Sequence, residues 1–405
     1  MAIAPIKVCY LAFSLKQGGA AVAAKRIIDS VSKHGVETSC YIADSKQSFL
    51  FKVKRIISHL LGRAVGERDI GKLSLNLFSC PEASNLLLKK NEIVHCHWIN
   101  NDTISIVNLA TLLEKNKSIV TLHDEWLYCG KEHYPFERYS QYQKRPNSFS
   151  FFFSDQNTFK RKVKALESLD FTITVPSNWM KERVKGSYLG KGKRVEVIGN
   201  PIPFDIFTPS EPQKLTRENL GIPDNHTVIL FGAIGGGSYI KGSDLLMSAL
   251  LELGFILSKE QASEITLLAF GGDIGDTSEL KTFHIVETGH ISTPELMADL
   301  YRLSNVTVVP SRVEAFGQVA AESCACGTPV IAFRYSGITD IIKDGYNGFL
   351  SEPFSPKSLA NNIAKFINLN ESEVRDLQKN GTIYINKQFH PEKIAMDFIK
   401  LYQNI

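Results

Sequence analysis

The chain has no apolar run of about 20 residues, the length a membrane span requires, so insertion into a bilayer is not expected. Its first residues, MAIAPIKVCYLAFSL, lack the basic segment and small-residue cleavage site of a secretory signal, and they read as a short tail entering a buried strand. These absences lead us to expect a cytoplasmic protein. Cysteine is sparse: seven residues, at 9, 40, 80, 96, 129, 324 and 326, are odd in number and irregular in spacing, which is not a disulfide framework. The pair Cys324 and Cys326 has no second pair at zinc-ribbon spacing and reads as two small buried hydrophobes. No Asp-x-Asp motif, internal repeat or low-complexity tract appears. A Gly-x-Gly-x-x-Gly fingerprint is also missing, which argues against a nicotinamide-dependent oxidoreductase.

At 405 residues the chain exceeds one ordinary core, and two domains are the natural reading. Lys and Arg are concentrated in the N-terminal half and Asp and Glu in the C-terminal half, so the first half should favour an anionic surface; no nucleic-acid partner is expected. Short apolar runs alternate with helical stretches: KVCYLAF, a helix from Ala20 to His34, TSCYIA, EIVHCHWI and SIVTLHD. Unbroken Val/Ile runs signal strands covered on both faces, hence parallel sheets with crossover helices. After a polar stretch, PSEPQKLTRENLGIPDNH, the strand TVILFGA opens a second series of ITLLAFGG, HIVETGHI, NVTVVPS, PVIAFRY and GFLSE. Helices fall at 242–255, 294–303, 317–326 and 337–344. The expected fold is therefore α/β, two Rossmann-like domains whose parallel sheets face a cleft where substrates lie. We place them at 1–205 and 206–387, with a C-terminal helix, 388–405, packing back on the first.

The densest chemical signal is Val308-Val-Pro-Ser-Arg-Val-Glu-Ala-Phe-Gly-Gln-Val-Ala-Ala-Glu-Ser-Cys. A strand ends at Pro310 and a helix begins around Phe316 or Gly317, which puts Glu314 in the loop and Glu322 inside the helix. Carboxylates suit sugars because each accepts hydrogen bonds from adjacent hydroxyls. A glycine at 317 lets a ligand approach the helix N-terminus, where free N–H groups favour phosphate. Gly18 and Gly19 open the first helix in the same way. His95 and His97 share one strand face, but no third residue stands at metal-ligand spacing, and no metal is expected.

This segment resembles the retaining glycosyltransferases of the large family 4, with their Glu, seven residues, Glu pattern. Gly18-Gly19-Ala-Ala, Val94-His-Cys-His-Trp98, Thr121-Leu-His-Asp-Glu-Trp126, Pro176-Ser-Asn-Trp179, Val197-Ile-Gly-Asn-Pro201, Lys241-Gly242 and Gly337-Ile-Thr-Asp-Ile-Ile342 follow in the family's order. The resemblance implies the two-domain GT-B fold and a metal-independent transfer from a UDP- or GDP-sugar, with no cofactor, to a glycan or lipid-linked glycan acceptor in polysaccharide biosynthesis. It implies that Glu314 binds donor-sugar hydroxyls, that Glu322 binds the nucleotide ribose with Phe316 and Gly317 beside it, and that Lys241 neutralises the diphosphate as charge develops there. His123 is implied to contact the donor sugar, with Asp124, Trp126 and His97 on the acceptor side. The chain departs from the pattern at Ala233, where an arginine is frequent, and at Ala315, where a glycine is. Backbone N–H groups around Gly235 and Gly236 are expected to substitute in part for that arginine.

Two other readings share the architecture. A non-catalytic nucleotide-sugar-binding protein would bind donor and release no nucleoside diphosphate, while an epimerase or hydrolase would turn donor over without an acceptor. Finally, the stretch from Ser48 to Arg63 sets Phe49, Val53, Ile56, Ile57, Leu60 and Leu61 at helical spacing among Lys52, Lys54, Arg55 and Arg63. That pattern suits an anionic membrane surface. The basic run Lys160-Arg-Lys-Val-Lys164 reinforces it, and we expect a peripheral location on the inner face of the membrane.

Overall fold

The computed structural model describes residues 6–16, 18–45, 48–64, 72–88, 93–146, 151–232, 239–272 and 274–405. They form two compact units, Met1–Pro201 with Pro391–Ile405, and Ile202–His390.

Unit 1 carries six strands, β1 (Lys7–Ala12), β2 (Glu37–Ile42), β3 (Ile93–His97), β4 (Lys117–Thr121), β5 (Thr172–Val175) and β6 (Arg194–Val197). All are parallel, in the order β2-β1-β3-β4-β5-β6. Every residue of β3 and β5 is buried, as in strands covered on both faces. The helices are α1 (Gly19–Lys33), α2 (Phe49–Ala64), α3 (Pro81–Leu87), α4 (Ile106–Lys115), α5 (Asp155–Leu166) and α6 (Asn178–Gly186). Ser105, Ser154 and Ser177 start α4, α5 and α6 by accepting a backbone N–H of the first turn.

Unit 2 repeats the scheme with β7 (Thr227–Gly232), β8 (Ile265–Phe270), β9 (His284–Glu287), β10 (Val306–Val309), β11 (Val330–Phe333) and β12 (Gly348–Ser351), all parallel in the order β12-β11-β10-β7-β8-β9. Its helices are α7 (Ser243–Ile256), α8 (Lys259–Ser263), α9 (Pro294–Leu303), α10 (Gln318–Ala325), α11 (Ile338–Ile341), α12 (Pro356–Ile367) and α13 (Glu371–Phe389). Successive residues of β7 feed opposite faces: Ile229 and Phe231 join one apolar layer, Val228 and Leu230 the other. Cys324 and Cys326 are buried, unbridged members of the second layer. The helix expected over 337–344 is only the single turn α11. Asn347 stops it by bonding the Lys343 N–H at 2.7 Å and the Ile341 carbonyl at 3.0 Å.

The last helix, α14 (Pro391–Gln403), returns to unit 1 and lies against α1. Ile394, Phe398 and Leu401 close an apolar cluster with Val8, Ile27, Ile28 and Val31. Beneath them the Tyr402 hydroxyl stands 2.8 Å from the Tyr10 hydroxyl and 2.9 Å from His95 Nδ1, so the helix is tied to the sheet by polar contacts as well.

Both sheets reverse strand order once, between β1 and β3 in unit 1 and between β7 and β10 in unit 2. At such a reversal the chain leaves neighbouring strands in opposite directions and opens a crevice at their C-terminal ends, where open α/β sheets bind ligands.

Phe398 is fully buried. Phe398→Ala is expected to cost unit 1 about 3–5 kcal/mol. Native-state hydrogen exchange checks this: protection should fall in β1, β3 and α1 and stay unchanged in β7 to β12.

Candidate functional site

In unit 2 the segments leaving β7 and β10 meet at the strand reversal. Lys241 ends a short turn of 3-10 helix, Tyr239–Lys241. Its ammonium is 2.6 Å from Glu314 Oε1, and the Ser311 hydroxyl reaches the same oxygen at 2.8 Å. Lys241 remains partly exposed, with Glu314 more covered. Two features force this approach. Gly242 sits at φ +68°, and a Cβ there would lie 2.1 Å from the Pro310 carbonyl oxygen, so only glycine lets the two segments touch. Arg312 then clamps them, giving both terminal nitrogens to the Asp244 carboxylate at 2.7 and 2.6 Å and a further bond to the Tyr239 carbonyl at 2.9 Å. The fork–carboxylate pair raises Arg312 above its ordinary value and lowers Asp244 below its own, so both stay charged.

The loop carrying Glu314 is fixed from the other side by the start of α11. The Glu314 N–H donates to the Ser336 hydroxyl at 2.9 Å, and Gly337 N–H donates to the Glu314 carbonyl at 2.8 Å. A side chain at 337 would strike the Ala315 carbonyl oxygen at 2.3 Å. Gly317 caps α10 at φ +103°, a conformation that favours glycine. One turn on, Glu322 is buried and takes hydrogen bonds from Gln318 Nε2 at 2.9 Å and the Tyr301 hydroxyl at 3.3 Å. The structure thus brings Lys241, Glu314 and the start of α10 together. Phe316 departs from expectation: its side chain is buried in the apolar layer, edge-on to Phe389 at 5.0 Å, so it supports the loop and does not line it. Gly235, Gly236 and Ala233 lie outside the described residues.

In unit 1, Gly18 at φ +90° caps α1, and a Cβ on Gly18 or Gly19 would meet open space. His97 ends β3 and His123 follows β4, with His97 Nδ1 3.1 Å from His123 Nε2. Asp124 and Trp126 correct the acceptor reading. Asp124 Oδ2 takes bonds from Trp98 Nε1 at 2.8 Å, Asn100 Nδ2 at 2.9 Å and His133 Nδ1 at 2.8 Å, while Oδ1 takes the Trp126 N–H at 3.0 Å. Burial pushes this carboxyl up, but His133 and the hydrogen bonds outweigh it and hold the group below its usual range. A carboxylate so occupied orders its loop. Trp126 is 1% exposed, with its indole N–H on the Ser74 carbonyl at 2.8 Å, so it is a core residue. Lys162, read above as part of a basic surface run, is also fully buried: its ammonium holds the carbonyls of Trp126, Cys129 and Gly130. Arg312, Asp244 and Lys162 are the site-building residues that sequence patterns missed. Each is an ordinary charged residue in an ordinary setting until the tertiary fold pairs it.

Residues 256–383, inside unit 2, match the family described as Glycosyl transferases group 1. This stretch of unit 2 is similar to the group 1 glycosyl transferases. Among curated relatives, a D-inositol 3-phosphate glycosyltransferase of Acidothermus cellulolyticus is 28% identical over 242 residues, 57% of this chain and 52% of that protein. One from Xylanimonas cellulosilytica is 33% identical over 182 residues, 41% of each chain. The chain spans about half the length or less of these relatives. Among solved structures, Anabaena HepE in complex with UDP and glucose aligns over 99% of this chain and 100% of its own at 16% identity and a TM-score of 0.63. The sucrose-phosphate synthase of Thermosynechococcus elongatus aligns over 98% of both chains at 18% identity and 0.69. In sequence and fold the chain is therefore like the family 4 glycosyltransferases, of GT-B class. Glu314, Glu322 and Gly317 fall within the matched domain, and Lys241 precedes it.

Burial lowers His95 to about 3 and His123 to about 4, against about 6.5 for an unfolded histidine. With the folded values depressed, the unfolded chain binds more protons below pH 6.5, so the stability these rings contribute is complete above that pH and drains away as pH falls towards 4. His95 alone should cost unit 1 roughly 3 kcal/mol by about pH 4.5. Thermal unfolding recorded from pH 7 to 4 checks this, and a flat melting temperature would contradict it.

Proposed function

We propose that this chain is a retaining, metal-independent glycosyltransferase that moves a sugar from a UDP- or GDP-sugar to a hydroxyl of a lipid-linked glycan acceptor. The observation that carries the reading is the Lys241–Glu314 pair at the strand reversal of unit 2. Such a pair offers a sugar pyrophosphate both things it needs, a cation for the phosphate charge and a carboxylate for sugar hydroxyls. The Gly317 cap leaves the first N–H groups of α10 to the phosphate or ribose side. Glu322 serves the ribose. The HepE structures bound to UDP with glucose, and to UDP-glucose, favour UDP as the carrier.

When the glycosidic bond breaks, the electron pair leaves with the diphosphate, and Lys241 stabilises the charge that appears there. No carboxylate in the described site is a free-standing nucleophile, since Glu314 is held by Lys241 and Ser311. This favours attack on the face the phosphate leaves, with a phosphate oxygen taking the acceptor proton. In unit 1, Gly18 and Gly19, at an open helix start, serve the donor phosphate, and His123 serves the donor sugar.

Helix α2 supports a peripheral membrane location. Its buried residues are Phe51, Ser58 and Gly62, whereas Phe49, Leu50, Ile56, Ile57 and Leu60 are exposed, between 43% and 79%. Lys52, Lys54, Arg55 and Arg63 accompany them, and the helix holds no acidic residue. An apolar face with a basic border binds anionic bilayers. Among the described residues no helix is long and apolar enough to cross one.

UDP- and GDP-sugars should be screened by thermal shift, where the true donor raises the melting temperature. With that donor, Lys241→Ala should lower the release of nucleoside diphosphate about 10²- to 10³-fold; an unchanged rate refutes the assignment. For the membrane, the double substitution Ile56→Glu and Leu60→Glu should abolish flotation with phosphatidylglycerol vesicles at low salt. Flotation equal to that of the unaltered chain, or none by either, removes the membrane role.

A further inference from the structure

The rings of His97 and His123 stand side by side at the C-terminal ends of β3 and β4, centroids 5.4 Å apart, with His97 Nδ1 3.1 Å from His123 Nε2. Burial holds both rings neutral at pH 7, His97 far below the ordinary imidazole range and His123 at about 4. Each ring therefore carries one N–H, and across the contact one nitrogen donates while the other accepts.

Two arrangements satisfy that bond, and they differ at the far nitrogens. In the first, His123 Nε2–H donates to His97 Nδ1. The proton of His97 must then sit on its Nε2, an atom that is buried and has no hydrogen-bond partner among the described residues. That would strand an N–H against the rings of His95, 4.1 Å away by centroid, and Tyr10, 5.9 Å away. In the second, His97 Nδ1–H donates to His123 Nε2, and the buried Nε2 is an unprotonated ring nitrogen. A stranded N–H is the rarer of the two defects in folded proteins, because a strong donor loses water and gains nothing. His95 does not relieve it, since its own nitrogens are committed to the Tyr402 hydroxyl at 2.9 Å and the Thr121 hydroxyl at 2.6 Å.

We propose that His97 is a positioning residue that locks His123 in the Nδ1–H tautomer, so that His123 presents a hydrogen-bond donor and not a base. His123 is only half-buried, and its Nδ1 bonds no described residue. The functional consequence rests on the glycosyltransferase reading: a fixed neutral donor suits a sugar oxygen and leaves the acceptor proton to another group. The tautomer itself does not rest on that reading. A histidine side chain free in water favours the Nε2–H tautomer, so the lock has a spectroscopic signature.

The test uses the full chain labelled with ¹⁵N-histidine, and long-range ¹H–¹⁵N correlation at pH 7.5. In the unaltered protein His123 and His97 should both show a pyrrole-type Nδ1 and a pyridine-type Nε2. His97→Leu should return His123 to the Nε2–H form and lower turnover about 10- to 100-fold, mainly in kcat. His97→Asn keeps an N–H donor near the place of Nδ1; it should preserve the His123 signature and most of the turnover. A pyridine-type Nδ1 on His123 in the unaltered chain overturns the proposal, as does an unchanged His123 spectrum in His97→Leu. If the leucine variant does not fold, the unaltered and asparagine spectra still decide. Absence of donor turnover with the expected spectra would instead sink the glycosyltransferase reading.

Discussion

Lys241 reaches Glu314 because two backbone segments touch at one point, Gly242 against the carbonyl of Pro310. The segments leave β7 and β10, the strands between which the sheet of unit 2 changes direction, so the topology delivers them to the same edge. Contact then needs a residue without a side chain. Holding two charged loops that close also requires a strong lateral tie, and the two-pronged Arg312–Asp244 pair supplies it. On the far side Ser336 and Gly337 fix the Glu314 backbone, so the carboxylate is presented from an anchored loop. Preorganisation of this kind is how a protein lets charges act on a ligand without reorganising at the moment of reaction.

Unit 1 handles polarity in the opposite manner. Instead of a solvent-accessible ion pair it buries a chain of neutral groups, Tyr10, Tyr402, His95, Thr121 and Thr174, each within hydrogen-bond reach of the next. Neutrality is what makes that burial tolerable, since an unpaired charge in the same place would cost far more than any of these bonds returns. Asp124, a buried carboxylate of unit 1, is tolerated because four donors surround it. Nearby, Trp98, Asn101 and Asp102 adopt left-handed backbone conformations, strain of the kind that packed surroundings impose near functional sites.

Much of this was legible in the residues. The strand segments, and the glycine at 317 with the carboxylates on either side of it, followed from apolar runs and local turn chemistry, which depend on near neighbours in the chain. What escaped were matters of three-dimensional pairing. The family resemblance implies that Trp126 and Asp124 are ligand contacts, yet the fold spends their polar atoms on Ser74, Trp98, Asn100 and His133, which lie up to some fifty positions away. Phe316 sits beside the right loop but turns inward. Lys162 reads as surface charge because lysine usually is, and only the loop from Trp126 to Gly130, closing over it, makes it interior. Helix α2 differs from these: most of its expected apolar face is exposed, although periodicity alone does not say whether such a stripe faces protein or solvent.

The return of α14 to unit 1 has a consequence for biosynthesis. The cluster that seals Val8, Ile27 and Val31 needs Ile394, Phe398 and Leu401, residues that follow unit 2 in the chain. As the ribosome feeds the polypeptide out from its N-terminus, all of unit 2 emerges before the first unit can complete its core. The later unit is thus free to fold first, while the earlier one waits with an apolar flank uncovered.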